Sequence, residues 1–286
     1  MAESLLGVKK RIQSVESIRK ITKVMKLIAS SRYTYFRNLY DGNLSYLTSL
    51  EKSMEICLLY ADYGNNRKPT CMRKNQGNKK LYIFVTCTLG LCGAYVYNLE
   101  KLAKKEITKD SDCVFIGEKG YTHFKNSCNH AYTEYIHLLD NLTYENVNSF
   151  RHYLDHLYKT NNYSEVILIS TKYENSFSVV AKKEKLFPLE PKVHTGSELK
   201  ESVEPIFGSE PTRVADLIVP HYLDAYLYHS LVEACLSEHT SRKNSMENAT
   251  SSAEDLISEL KLRYNKLRQS KITQEITEVI SGSESN

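Results

Sequence analysis

The chain has 286 residues, 41% of them hydrophobic and 25% charged, with 38 Lys and Arg against 34 Asp and Glu. That is enough for one large domain or two smaller ones with ordinary cores, and too near neutral for total charge alone to indicate a nucleic-acid partner. Seven scattered cysteines with no CxxC pair argue against a disulfide framework or a zinc site and point to a reducing compartment.

Residues 1–60 are expected to form the first long helix. They contain no Pro, and apolar residues recur at helical spacing. Leu5, Val8, Ile12 and Val15 make one stripe. After a one-residue slip, Ile18, Ile21, Met25 and Ile28 are expected to continue it, with Tyr35 and Leu39 beyond. Alternating steps of three and four residues are the seam of a coiled coil, and a slip should perturb its supercoil. The first forty residues carry nine Lys and Arg against Glu3 and Glu16, so the charge excess sits at this end.

Residues 61–80 are polar and contain Gly64, Pro69 and Gly77, as expected of a linker. Residues 81–211 then change character. LYIFVTC, CVFIG and EVILIST read as strands, and SFSVVAKK as a further one. Helical stretches fall at 95–105, around Tyr121 and at 144–159. This alternation predicts a Rossmann-like α/β domain with a mostly parallel sheet. Residues 183–211 hold four of the six prolines and read as a loop.

The last segment, 212–286, is expected to be a second long helix beginning near Asp216, with Pro220 in its first turn. Ala249, Ala253, Leu256, Leu260, Tyr264 and Leu267 make a stripe suited to pairing with the first helix. The polar run SEHTSRKNSMEN, 237–248, predicts a solvent-bridging or partner-contacting stretch. The fold class is therefore mixed α+β and α/β: a long antiparallel coiled coil of the two terminal helices plus the sheet domain.

Few residues suggest chemistry. The turn LGLCGA lies between strand and helix, where phosphate loops sit, but it lacks GK[ST] and GxGxxG. A turn that needs small residues for close packing is the plainer reading. Cys92 has no His partner set by spacing and reads as a buried thiol. His152 and His156 share a helix face without a third ligand. No acid–base pair stands out, and no cofactor is expected. The basic first helix suits either nucleic-acid phosphates or an acidic protein surface, but aromatics are not interleaved with its bases between residues 9 and 32.

The terminal segments resemble the gamma subunit family of F-type ATP synthases. Ile18, Lys20, Ile21, Thr22, Met25, Lys26 and Ala29 match the basic helix that opens that family. Ser237, Glu238, Arg242, Met246, Asn248, Ala249, Thr250, Ala253, Tyr264, Asn265, Arg268, Gln269, Ile272, Thr273, Glu275, Glu278 and Gly282 match its C-terminal block. Gly90, Leu91, Cys92, Gly93 and Ala94 match a central motif of the foot domain.

The resemblance implies a central rotor shaft that is not itself catalytic. Its terminal helices would wind inside a hexamer of catalytic and non-catalytic subunits, which hold the nucleotide and magnesium. Its sheet domain would sit beside an epsilon-type subunit and the membrane ring, one copy per complex. It implies shaft–hexamer contacts at Lys20, Lys23, Met25, Lys26, Arg242, Arg268, Gln269 and Thr273. Nucleic acid would not be a partner, and direct membrane insertion is not expected, since no stretch of about 18 apolar residues occurs. The expected location is the cytoplasmic face of a bacterial cell membrane, held peripherally. No presequence is visible, which disfavours the mitochondrial inner membrane. Two departures stand out. Cys87, Thr88 and Leu89 replace the usual Ser-Asp-Arg, and Lys243 and Asn244 stand where apolar residues are usual. These leave open a shaft of an F-type-like motor adapted to another membrane machine. A basic coiled-coil nucleic-acid binder is the alternative from another class.

Overall fold

The computed structural model describes residues 4–64, 68–190 and 205–284. In chain order the elements are α1 (Leu5–Tyr60), β1 (Lys80–Val85), α2 (Tyr95–Glu106), β2 (Asp112–Ile116), α3 (Glu118–Phe124), β3 (His130–Tyr132), α4 (Tyr144–Thr160), β4 (Glu165–Tyr173), β5 (Val179–Phe187) and α5 (Pro211–Glu284). The chain divides into two compact units: Met1–Ser31 with Arg242–Asn286, and Arg32–Ser241.

The first unit is the helix pair. The Gly7 amide donates to Ser4 Oγ (3.1 Å), which caps the first turn of α1. Val8, Val15, Ala253, Ile257 and Leu260 form its buried core, with Ile12, Leu256, Tyr264 and Leu267 packed beside them. The pairing is antiparallel: Lys26 meets Glu247, Arg19 meets Glu254 and Glu16 meets Lys261. The buried positions of α1 here are Val8, Val15, Thr22 and Ala29, each seven residues after the last. The expected slip does not occur. Ile18, Ile21 and Ile28 are exposed, and Met25 is half-buried. A seven-residue period keeps one face of a helix on its partner. The chain holds that period by filling the seam with polar side chains. The Thr250 hydroxyl donates to that of Thr22 (2.8 Å), which donates to the Arg19 carbonyl (3.1 Å).

The second unit contains a five-stranded sheet in the order β3-β2-β1-β4-β5. Four strands are parallel, and β5 runs antiparallel to β4. Successive side chains of a strand point to opposite faces. Leu81, Ile83 and Val85 of β1 therefore join Val147, Phe150 and Leu154 of α4 and Leu223 and Leu227 of α5. Tyr82 and Phe84 join Tyr95, Leu99 and Ala103 of α2 on the other face. Both faces are covered, which is why the strand sequences are almost continuously apolar. The edge strand β3 went unseen in the sequence because its three residues, HAY, are too few to show a period.

A buried ion cluster ties α4 to α5. Arg151 Nε donates to Asp224 Oδ1 and its Nη1 to Asp155 Oδ2, both at 2.6 Å, while Asn148 Nδ2 donates to Asp224 Oδ2 at 2.8 Å. Burial holds the Asp155 carboxyl above the usual carboxylate range despite its Arg151 partner.

Three further expectations are corrected. The helix α5 starts at Pro211, whose fixed φ suits a first helical position. Pro220 is consequently inside the helix rather than in its first turn. The expected loop at 183–211 begins later, because β5 continues to Phe187; its residues 191–204 lie outside the described residues. The polar run 237–248 is not solvent-bridging. Ser237, Thr240, Arg242 and Met246 are buried, and the Thr240 hydroxyl donates to the Leu236 carbonyl (2.7 Å). A short hydroxyl satisfied by its own helix can be buried without a partner elsewhere.

Two measurements check this packing. Leu260→Ala should cost about 2–5 kcal/mol in denaturant unfolding of the chain, whereas Ile18→Ala should stay within about 0.5 kcal/mol. A slipped seam would make Ile18 the more costly position. Asp224→Ala should cost about 3–5 kcal/mol, because it leaves the Arg151 guanidinium buried with half its charge partners.

Candidate functional site

The helix pair presents a surface that the seam does not use. Ile18, Ile21, Val24, Leu27 and Ile28 are each more than half exposed, and Lys20 and Lys23 are exposed among them. The seven-residue register turns these residues outward. Apolar side chains in such a run mark an interaction face. Lysines among them add an electropositive character without binding any one acid tightly, since exposed pairs contribute about 0–1 kcal/mol.

The expected contact residues divide into two groups. Lys20, Lys23, Arg268, Gln269 and Thr273 are exposed. The Thr273 hydroxyl donates to the Gln269 carbonyl of its own helix (3.0 Å). Met25 is half-buried. Lys26 is also half-buried, and its ammonium lies 2.7 Å from Glu247, so it serves the helix pair. That ion pair lowers the pKa of the Glu247 carboxyl. Arg242 is buried, at 7% exposure. The charges that join the helices (Arg19, Glu247, Glu254) and the Thr22–Thr250 bond were missed in the sequence. A strict seven-residue count from Val8 would have found Thr22, and one from Ile12 would have found Arg19 and Lys26. Along α5, every residue from Arg268 to Ser281 is exposed, including Ile272, Ile276, Val279 and Ile280.

The motif at Gly90, Leu91, Cys92 and Gly93 forms the loop between β1 and α2. Leu91 (φ 62°) and Gly93 (φ 58°) adopt left-handed backbone conformations on either side of Cys92. The Tyr95 amide donates to the Cys92 carbonyl (3.2 Å), which leads the chain into α2. Cys87 and Cys92 are both buried, with their sulfurs 3.6 Å apart. Leu89 and Leu91, at 72% and 63% exposure, form the loop's outer surface. A Cβ on Gly117 (φ 90°) would run into the Thr86 carbonyl, so the neighbouring β2–α3 turn requires glycine there.

The strand order reverses between β1 and β4. In open α/β sheets, the crevice at the carboxyl ends of such strands is where nucleotides bind. Here protein groups fill it. Tyr95 is buried, and its hydroxyl donates to the Ala234 carbonyl of α5 (3.4 Å). The Tyr173 amide, at the end of β4, donates to Glu233 Oε1 of α5 (3.1 Å). Lys182 closes on Glu233 Oε2 at 2.8 Å. Burial pushes the Tyr95 phenol well above its ordinary pKa. The two histidines that share a face of α4 have protein neighbours: His152 Nε2 is 3.0 Å from Arg151 Nη2, and His156 Nε2 is 3.5 Å from Thr160 Oγ1. Among the described residues, no three His, Cys, Asp or Glu side chains are grouped as metal ligands would be.

Known proteins resemble the chain over its whole length. The family model described as ATP synthase matches residues 4–285. The ATP synthase gamma chain of Clostridium pasteurianum is 33% identical, over 99% of both chains. The sodium ion specific ATP synthase gamma chain of Acetobacterium woodii is 30% identical, again over 99% of both. Among solved structures, a chain of the Euglena gracilis mitochondrial ATP synthase shares the fold with a TM-score of 0.63 at 14% identity, covering 98% of this chain and 94% of that one. The exposed face of the helix pair, the filled crevice and these full-length matches lead to one conclusion: this chain belongs to the ATP synthase gamma chain family.

Proposed function

We propose that the chain is the non-catalytic central rotor shaft of an F-type ATP synthase, turning inside a hexamer of nucleotide-binding subunits. The observation that carries this reading is the outward face of α1, where Ile18, Ile21, Val24 and Ile28 are exposed together with Lys20 and Lys23. A shaft must touch each catalytic subunit in turn and grip none. Apolar side chains transmit a push by contact. Scattered lysines attract acidic loops weakly enough to let them pass.

Contact with the hexamer is assigned to Lys20, Lys23, Met25, Arg268, Gln269 and Thr273. Lys26 is paired with Glu247 of α5, and Arg242 is buried, so neither is assigned to the hexamer. The non-catalytic role is supported by the crevice at β1 and β4, which Tyr95, Glu233 and Ala234 occupy in place of a nucleotide. The sheet-bearing unit is the part assigned to the epsilon-type subunit and the membrane ring. The Euglena assembly whose chain shares this fold includes a c-ring. The relatives at 30–33% identity are bacterial, which supports a peripheral position on the cytoplasmic face of a bacterial membrane. No described helix is long and apolar enough to cross a membrane.

Purification tests the assignment. The chain should copurify with a hexamer of nucleotide-binding subunits, and alone it should hydrolyse no ATP. A chain that stayed monomeric and RNA-bound, with steep salt dependence, would sink the proposal. Lys20→Glu combined with Lys23→Glu should lower ATP turnover coupled to rotation, by at most about fivefold per charge at 0–1 kcal/mol each, and leave assembly intact. Coupled turnover equal to wild type would remove the electrostatic part of the account, leaving contact by the apolar face.

A further inference from the structure

The loop after β1 contains a feature that the shaft role does not use. Cys87 and Cys92 enclose Thr88, Leu89, Gly90 and Leu91, and their sulfurs lie 3.6 Å apart. A disulfide requires about 2.05 Å. The gap is therefore closed by a shift of about 1.5 Å, within one short loop rather than between two elements. Both thiols are buried in the core cluster that Tyr82, Phe84 and Tyr95 share, while the loop residues between them, Leu89 and Leu91, are exposed.

Three details define the setting of this pair. Cys92 lies three residues before Tyr95, the first residue of the twelve-residue helix α2, whose first amide donates to the Cys92 carbonyl. Lys119 borders the same loop: its amide donates to the Cys87 carbonyl (3.2 Å), and its Cε comes within 3.8 Å of where a Cβ on Gly90 would be. Finally, Leu91 holds a left-handed φ that a side chain disfavours, so the backbone between the two cysteines carries strain.

We propose that Cys87 and Cys92 are a redox-active dithiol that peroxide closes to an intrachain disulfide. The Cys92 thiolate attacks the peroxide oxygen, breaking the O–O bond and forming a sulfenic acid; the departing hydroxide takes up a proton and leaves as water. The Cys87 sulfur then attacks the Cys92 sulfur, the S–S bond forms, and the sulfenic hydroxyl leaves as a second water with the Cys87 proton. The two thiols are oxidised by two electrons in all, and the peroxide is reduced to water. A small dithiol reverses the bond by exchange. The closed ring fixes Leu89 and Leu91 in one arrangement, so the loop's apolar surface differs between the two states. The dithiol chemistry is independent of the shaft assignment.

The test uses the full-length chain and hydrogen peroxide, followed by alkylation with N-ethylmaleimide and tryptic digestion. Residues 81–101 contain no internal Lys or Arg and only these two cysteines. The disulfide is then read directly as loss of two hydrogens from that peptide, with neither cysteine alkylated and with reversal by dithiothreitol. In Cys87→Ser, Cys92 should instead be trapped as the sulfenic acid by dimedone, with the helical circular dichroism of the wild type. The proposal is overturned if the peptide stays in its dithiol form at peroxide levels that oxidise the half-buried Cys128. It is equally overturned if Cys92 pairs with another cysteine.

Discussion

Much of this molecule depends on the seven-residue register that keeps Val8, Val15, Thr22 and Ala29 of α1 against α5. A shift by three positions between residues 15 and 25 would bury Ile18 and Ile21 and expose Thr22. It would add apolar burial, at about 25 cal/mol per Å². The chain forgoes that gain. It fills the middle of the seam with two threonines and two ion pairs, Arg19–Glu254 and Lys26–Glu247, and keeps its isoleucines for the outside. A helix pair that only had to be stable would gain by the opposite choice. The arrangement suits one whose surface must meet something else.

The sheet-bearing unit follows a similar logic. Its strands are covered on both faces, as a doubly wound fold requires, and its topological switch lies where a nucleotide site would be. The unit uses that crevice to receive the α5 residues Glu233 and Ala234, held by the Tyr173 amide and the Tyr95 hydroxyl. A fold that elsewhere holds ligands here anchors a helix. The nearby Arg151–Asp224 pair fastens α4 to the same helix through buried charge.

The sequence made the long helices legible because their apolar residues recur at helical spacing and proline is nearly absent. It made the parallel strands legible because strands buried on both faces carry unbroken apolar runs. The seam register was misread because apolarity alone was followed. Ile18 and Ile21 look like core residues at the right spacing, whereas Thr22 and Lys26 do not, and only their partners on α5 reveal their place. The stretch 237–248 was misread for the related reason that a Thr counts as polar even where, like Thr240, its own helix satisfies it. Of the motif Gly90–Gly93, its position between strand and helix could be read. The approach of Cys87 to Cys92 could not, because it depends on the left-handed turns at Leu91 and Gly93.

The polar middle of the helix pair also determines how it carries load. Apolar contacts are non-directional, so side chains in an apolar seam can slide past one another at little cost. Hydrogen bonds and close ion pairs lose strength quickly when displaced or bent. The Thr22–Thr250 bond therefore fixes the register of the two helices at one point, whereas the apolar contacts around Val8 and Val15 leave it free to adjust. Sliding of α1 along α5 would have to break that bond before it disturbed the apolar stretch.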